Sequence, residues 1–173
     1  PGYDNNLFVQ GLSSEKWRSL LHDPDHPLQN RAIQSAYPPG SVFKLVVAAC
    51  ALARGEIHPS TTFYCPGRYR LGTGVFRCWK RYGHGRLDLQ EAIVQSCDVY
   101  FYNLGEQLGI TSLSQFAIQA GFGRRTGIRL PNESRGLIPD REWKKRRFGQ
   151  SWQGGETVIT AIGQGYTTTT PLQ

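Results

Sequence analysis

The spacing of apolar and polar residues predicts a chain built mostly of helices. The longest apolar run, residues 41–53, follows Pro38-Pro39 and ends at Arg54-Gly55, as expected for a helix preceded by prolines and closed by glycine. Because this run is apolar on almost every side, it indicates a buried helix. Helical spacing recurs in four further segments, which are residues 14–22 with Ser14 as N-cap, 87–95, 99–108 closed by Gly109, and 111–120.

The remaining segments lack this period. Residues 7–9 and 127–130 are short apolar runs that favour strands. Residues 61–85 are rich in Gly, Cys and aromatic residues, and they predict a loop or a small ribbon. Residues 135–140 are predicted to form a loop, and residues 156–162 stay unassigned because a β-rich composition is flanked by glycines.

Chain length and composition limit the possible classes. The 173 residues suffice for one domain with a core but are few for two. No run reaches the roughly 18–20 apolar residues that span a membrane, and no signal peptide is recognisable. Met is absent from the sequence, which stops in a segment typical of the start of another element. We therefore expect an internal piece of a longer protein, with any anchor outside it.

The formal net charge of +7 predicts a solvated basic surface, and the functional alternatives are attraction to an anionic polymer or to a membrane surface. The densest basic cluster, residues 144–147, has one aromatic residue on each side. A base-stacking platform needs aromatic residues spread among the basic ones, so nucleic acid is not an expected partner. Trp79, Tyr82 and Trp152 are expected to pack in the core in preference to lining a cleft.

Three of the four cysteines and one histidine form a spaced set, Cys65-x12-Cys78-x5-His84-x12-Cys97. Cys50 lies in the apolar run instead and is expected in the core. The spacing is not that of a common zinc finger, and two interpretations stay open. An oxidising compartment would favour a Cys65–Cys78 disulfide. The alternative is a closed structural metal site, which would supply folding free energy to a loop with few core residues.

Ser41 and Lys44 are the polar residues at the start of the apolar run. They lie three positions apart, so a helix places them on one face. A serine hydroxyl becomes nucleophilic when a neighbouring base takes its proton, and burial lowers the pKa of a lysine toward that role. N–H groups at the helix start can also stabilise an oxyanion. By itself, Ser-x-x-Lys more often marks an N-cap serine and a lysine that reaches solvent, so the assignment depends on context.

That context resembles the penicillin-binding proteins. Residues 37–44, Tyr-Pro-Pro-Gly-Ser-Val-Phe-Lys, resemble the family's nucleophile motif, in which Pro-Gly-Ser-x-x-Lys opens a buried helix. Residues 96–98, Ser-Cys-Asp, resemble its second motif, which lies between two helices. Further segments, in order along the chain, look like the penicillin-binding protein 2 branch, the monofunctional class B transpeptidases of rod elongation: residues 6–9, 30–34, 79–85 and 163–166.

The resemblance implies an α/β fold of the α+β type, similar to penicillin-binding proteins and serine β-lactamases. Residues 1–173 would be an incomplete transpeptidase domain, mostly its helical part. The family's third motif, Lys-Thr-Gly or a variant, lies on a later sheet strand that supplies an oxyanion-hole N–H, and this motif is absent here.

The resemblance also implies roles. Ser41 would attack the D-Ala-D-Ala carbonyl of a peptidoglycan stem peptide, with Lys44 as general base. Ser96 would relay a proton to the leaving amine, and Asp98 would orient the substrate amide and hold Lys44. β-Lactams would acylate Ser41 as substrate mimics. The implied location is the periplasmic face of the inner membrane, and the implied partners are a polytopic glycosyltransferase of the SEDS type and other elongation-complex proteins.

Some members of this branch hold zinc through Asp, Asp, His and Cys in the matching loop. The corresponding positions here are Cys65, Cys78, His84 and Cys97, which makes residues 61–97 a candidate zinc loop. Thiolates replace both carboxylates, and zinc accepts them readily. By this resemblance zinc would be structural and would fix the backbone that aims the residues on either side of Cys97.

Two other functions remain open. A serine β-lactamase or β-lactam sensor of the same fold would need a base that activates water, and Glu133 is the candidate for it. A non-catalytic, zinc-stabilised binding module would show no covalent label at Ser41.

Overall fold

The computed structural model describes residues 2–9 and 11–173, so Pro1 and Gln10 of the predicted 1–173 domain lie outside the described residues. Helices dominate, and four short strands lie between the fourth and fifth of them. The helices are α1 (Asn6–Val9), α2 (Ser14–His22), α3 (Arg31–Gln34), α4 (Lys44–Ala53), α5 (Leu89–Val94), α6 (Asp98–Gln119), α7 (Arg141–Phe148) and α8 (Gly154–Thr160).

The predicted buried helix is α4, which a 3₁₀ turn at Gly40–Phe43 precedes. Its buried face, which includes Val47 and Cys50, packs against α6. Among the described residues nothing covers the opposite side: Leu45 is 54% exposed, and Val42 of the preceding 3₁₀ turn is 71% exposed. The expectation of burial on every face is therefore wrong, because α6 covers only one side of the helix.

Helix α6 runs through the centre of the core. Gly109 has φ 69° and ψ 159° and divides the helix into two parts. These parts correspond to the two predicted helices, residues 99–108 and 111–120. Gly105 lets α8 approach, since a Cβ at this position would lie 2.6 Å from the Ala161 Cβ. The fully buried side chains of α6 include Tyr100, Phe101 and Leu104. Helix α5 begins at a capping box formed by Asp88 and Glu91, which ends the segment of strands.

The predicted ribbon is two antiparallel two-stranded sheets, the second a hairpin inserted between the strands of the first. Strand β1 (Phe63–Cys65) pairs with β4 (Gly85–Leu87), with Phe63 opposite Leu87. Strand β2 (Arg68–Leu71) pairs with β3 (Gly74–Arg77), with Arg68 opposite Arg77. Tyr69 and Phe76 on the inner face of this hairpin contact Tyr102 of α6, which fixes the hairpin against the core.

Several local predictions were wrong. Residues 7–9 lie in the helical turn α1, where the Asp4 carboxylate accepts a hydrogen bond from Asn6 N–H, and residues 127–130 form no strand. Neither short run finds a strand to pair with among the described residues. The unassigned segment 156–162 lies largely in α8, and the N-cap of α2 is Ser13, one residue before the predicted Ser14.

Helix α7 was not predicted, and it changes the interpretation of the basic cluster at residues 144–147. Asp140 caps the helix, and Lys144 points inward, where its Nζ lies 2.6 Å from Glu156 Oε1. Arg146 pairs with Glu142 on the surface. The cluster is therefore not a continuous basic patch. Among the described residues, no helix is both long and apolar enough to cross a membrane.

Candidate active site

Ser41 and Lys44 occupy the junction between the 3₁₀ turn and α4. The Ser41 side chain is exposed, whereas Lys44 is 2% exposed. Gly163, in one of the segments that resemble the penicillin-binding protein 2 branch, supports this turn: its carbonyl accepts the Gly40 N–H at 3.0 Å. A Cβ on Gly163 would lie 2.3 Å from the Gly40 oxygen, so glycine is required for this close approach. The hydrogen bond and the close contact with Gly163 therefore hold the turn that carries Ser41 in place.

Ser96 connects the two predicted catalytic residues. Its Oγ lies 2.9 Å from Ser41 Oγ and accepts a hydrogen bond from Lys44 Nζ at 3.0 Å. Lys44 Nζ also donates to the Ser96 carbonyl at 2.9 Å and to Asp98 Oδ1 at 2.6 Å. Among the described residues these are the hydrogen-bond partners of Lys44 Nζ, so its connection to Ser41 passes through Ser96 Oγ. The structure thus brings all four predicted residues into one network.

The backbone turn between α5 and α6 orients the side chains of Ser96 and Asp98 toward Lys44. Ser96 has φ 50°, a left-handed conformation that non-glycine residues seldom adopt and that often occurs at functional sites. Its N–H bonds to the Ile93 carbonyl, and the Cys97 N–H bonds to the Ala92 carbonyl. Asp98 is the first residue of α6 and is buried. The tight turn therefore directs Ser96 and Asp98 to the same ammonium group.

Trp79 is a site residue that the sequence did not reveal. Its backbone N–H donates to Asp98 Oδ2 at 3.0 Å, and its indole N–H donates to the Ser96 carbonyl at 3.1 Å. The side chain was expected in the core, but it is 65% exposed, as is Tyr82 at 86%, whereas Trp152 is buried. Its position directly after Cys78 was the available signal.

The predicted metal ligands also come together. The four ligand atoms of Cys65, Cys78, His84 and Cys97 all lie within 4.8 Å of one another. His84 Nδ1 is 3.5 Å from Cys65 Sγ and 3.6 Å from Cys78 Sγ. Tetrahedral zinc with ordinary Zn–S and Zn–N bonds would separate such atoms by about 3.6 Å. The donor set therefore fits a closed tetrahedral site.

The thiols of this cluster are reduced and interact with one another. All four cysteines of the chain are free, so the structure contains no Cys65–Cys78 disulfide. A hydrogen bond with Cys97 lowers the pKa of Cys78 to about 5 and raises the pKa of Cys97. Cys50 lies apart from the cluster in the core, where burial raises its pKa.

Glu133, the candidate base for a hydrolase, has a different local role. Its carboxylate accepts hydrogen bonds from the Thr126 N–H at 2.7 Å and the Thr126 hydroxyl at 2.6 Å. These bonds lower the pKa of Glu133. The carboxylate takes no part in the network around Ser41, so the described geometry does not favour a hydrolase.

Comparisons with known proteins agree with this geometry. The family model described as the penicillin binding protein transpeptidase domain matches residues 1–173. Peptidoglycan D,D-transpeptidase MrdA of Haemophilus influenzae is 47% identical over 175 residues, which cover 100% of this chain. The match spans 27% of that relative, so the chain corresponds to about a quarter of its length.

Two solved structures extend the comparison. In the complex between penicillin-binding protein PBP2 and MreC from Helicobacter pylori, the match has 46% identity and a TM-score of 0.88, covering 94% of this chain and 31% of that one. The penicillin G acyl-enzyme complex of penicillin-binding protein A from Mycobacterium tuberculosis matches with 31% identity and a TM-score of 0.77, covering 99% of this chain and 39% of that one.

Proposed function

We propose a function for this chain on the premise that it belongs to the penicillin-binding protein transpeptidase family, whose domain model matches residues 1–173. The chain supplies the nucleophile and the proton-transfer groups of a serine-type peptidoglycan D,D-transpeptidase that acts in cell-wall elongation and rod-shape maintenance. The observation that carries the proposal is the hydrogen-bonded network joining Ser41, Ser96, Lys44 and Asp98.

The first half of the reaction forms an acyl-enzyme. Lys44 acts here as the neutral amine: Ser41 Oγ attacks the carbonyl carbon between the two D-alanines of a stem peptide, and its proton passes through Ser96 Oγ to Lys44 Nζ. The Asp98 carboxylate stabilises the ammonium that results. The C–N bond then breaks, the proton returns through Ser96 to the leaving amine, and free D-Ala departs from the Ser41 ester.

The second half transfers the acyl group to an amine of a neighbouring stem peptide. The amine attacks the ester carbonyl, the C–O bond breaks, and the proton lost by the amine restores the Ser41 hydroxyl. β-Lactams would acylate the same oxygen by ring opening. The penicillin G acyl-enzyme of the M. tuberculosis relative supports this part of the proposal.

Labelling with fluorescent penicillin tests the assignment in the whole protein that carries this chain. We expect one stoichiometric label, mapped to Ser41 by mass spectrometry and absent from Ser41→Ala. The exposed Ser13→Ala variant, outside the network, is the control and should label normally. Rapid turnover of nitrocefin would indicate a β-lactamase instead, and no label at all would indicate a non-catalytic binding module.

We further propose that Cys65, Cys78, His84 and Cys97 hold a structural zinc ion. Zinc would crosslink β1, the segment between β3 and β4, and the start of α6. Two ligands adjoin the catalytic network, since Cys97 lies between Ser96 and Asp98, and Cys78 precedes Trp79. The ligand-atom geometry and the free thiols support this proposal.

Metal analysis tests the zinc proposal independently of activity. The whole protein should contain about one zinc per chain, and Cys65→Ser should lose it, whereas Cys50→Ser should retain it. Fluorescence of Trp79 should change on chelation because its ring lies 5.3 Å from the His84 ring. A metal-free protein with a Cys65–Cys78 disulfide would contradict the proposal.

The location and partners follow from the substrate. We propose that the protein acts at the periplasmic face of the inner membrane, together with a polytopic SEDS-type glycosyltransferase and other elongation-complex proteins. The MreC complex of the H. pylori relative supports an elongation partner. Copurification of the whole protein with the glycosyltransferase from detergent-solubilised membranes is the direct test.

A further inference from the structure

The outer face of the β2–β3 hairpin carries an unusual charge pair. Arg68 and Arg77 are directly opposite each other in the ladder, and both side chains are exposed. Residues paired in this way project from the same face of a sheet, and like charges at such positions destabilise it. The inner face packs against Tyr102, so the hairpin cannot turn over to separate the two charges.

Nothing in the described part of the chain compensates this charge. No carboxylate there forms a salt bridge with Arg68, Arg77 or Arg81. These three arginines line one cleft of about 630 Å³, together with Trp79. No acidic residue lines the cleft. A site that gathers three guanidinium groups without a counterion is suited to an anion, and the planar guanidinium fork matches a carboxylate.

The cleft is preformed by close contacts between backbones. A Cβ on Gly67 would lie 2.3 Å from the Arg81 oxygen, and a Cβ on Gly83 would lie 2.1 Å from the Cys65 oxygen. The Cys78 N–H donates to the Gly67 carbonyl at 2.9 Å. The segments around Gly67 and Gly83 are already in contact, so binding of a ligand would require little loss of conformational entropy from these segments.

Trp79 joins the cleft to the candidate active site. Its ring contributes to the wall, while its two N–H groups bond to Asp98 and to the Ser96 carbonyl. Ser96 Oγ lies 2.9 Å from Ser41 Oγ. Trp79 therefore contacts both the cleft and the network that holds Ser41, which puts the cleft beside the candidate active site.

We propose that this arginine cleft, formed by Arg68, Arg77, Arg81 and Trp79, binds a free carboxylate of the stem peptide that reacts at Ser41. The inference rests on the proposed transpeptidase function and names the substrate group that the site selects. Arg68 and Arg77 bind the carboxylate, and the exposed ring of Trp79 contacts the adjacent aliphatic part of the peptide. A penicillin, which is smaller, acylates Ser41 without reaching the cleft.

The experiment uses two synthetic peptides ending in D-Ala-D-Ala that differ only in a side-chain carboxylate or its carboxamide. Release of D-Ala is measured against peptide concentration in the whole protein. The wild type should show an apparent KM about 5- to 10-fold lower for the carboxylate, with similar kcat. The double variant Arg68→Gln/Arg77→Gln should lose this preference, whereas the matched control Arg18→Gln/Arg141→Gln should keep it.

Penicillin labelling separates the two proposals. Unchanged labelling of Arg68→Gln/Arg77→Gln, together with loss of the carboxylate preference, supports the cleft assignment. Equal KM values for both peptides in the wild type, or a preference that survives in the double variant, would overturn it while normal labelling leaves the transpeptidase proposal intact. Absence of any label at Ser41 in the wild type would refute both.

Discussion

The buried ion pair between Lys44 and Asp98 should determine both stability and acylation. The two charged atoms are 2.6 Å apart, and the side chains are 3% and 13% exposed. At an effective dielectric constant of about 20, their attraction is about 6 kcal/mol. Removing each ion from water costs several kcal/mol, so the intact pair contributes little net stability. Loss of one partner leaves the other buried and uncompensated, which costs about 3–5 kcal/mol.

The variant Asp98→Asn should therefore lower the free energy of opening of α4 and α6 by about 3–5 kcal/mol. Hydrogen exchange of the amides in these helices measures this quantity within a larger protein. Acylation by fluorescent penicillin should fall by roughly 10²-fold or more, because the proton acceptor loses its counterion. The double variant Lys44→Met/Asp98→Asn should recover most of the stability without recovering acylation.

A surface ion pair provides the control. Glu142 and Arg146 are 84% and 69% exposed in their side chains, so Glu142→Gln should change stability by less than about 1 kcal/mol. A loss below about 1 kcal/mol in Asp98→Asn would refute the reasoning. The reasoning would also be refuted if the double variant lost as much stability as Lys44→Met and Asp98→Asn lose when summed. The effects of substituting both partners of one ion pair should not be additive.

Three further predictions concern single residues. Ser96→Ala should slow penicillin acylation by roughly 10²–10⁴-fold with an unchanged circular dichroism spectrum, and a change below threefold would exclude the proposed proton route. Gly105→Ala should lower the free energy of opening of α8 by about 1–3 kcal/mol through the clash with Ala161, whereas unchanged hydrogen exchange would show that the helices can separate. The hydrogen bonds from Thr126 lower the pKa of Glu133, so its stabilising effect is present above the unfolded pKa and lost as the pH falls through the folded value. Urea unfolding should therefore show Glu133→Gln as less stable than the wild type near pH 7 and equal to it well below pH 4, and a constant difference would contradict this explanation.

Much of the helical framework could be predicted from the sequence. Gly109 marked the break in α6, and the apolar run after Pro39 marked α4. The exposed side of α4 could not be predicted. The run is apolar almost all round, so its periodicity does not show which face packs against α6. Helix α7 was missed because its residues are mostly charged, and its local signals were the Asp140 cap and the glycine stop at Gly149.

The resemblance predicted the members of the candidate site and the contact between Asp98 and Lys44, but not the position of Ser96 between Ser41 and Lys44. The motifs gave Ser41, Lys44, Ser96 and Asp98, and the structure brings them together. Sequence spacing could not show that Ser96 lies between the nucleophile and the lysine, because this contact joins residues 55 positions apart. Trp79 escaped detection for the same reason, since its bonds to the network depend on how the strands fold back onto α6.

On the proposed function, the position of Cys97 inside the second motif has a consequence for resistance to β-lactams. The backbone that holds Ser96 and Asp98 includes Cys97, a member of the cysteine–histidine cluster, and Trp79 directly follows Cys78, another member. On that function, we expect selection under a β-lactam to act on the loop of residues 61–97 too, where a substitution would shift the catalytic groups while Ser41 and Lys44 stay the same. Sequencing of resistant strains should therefore include the codons of this loop as well as those of the nucleophile motif.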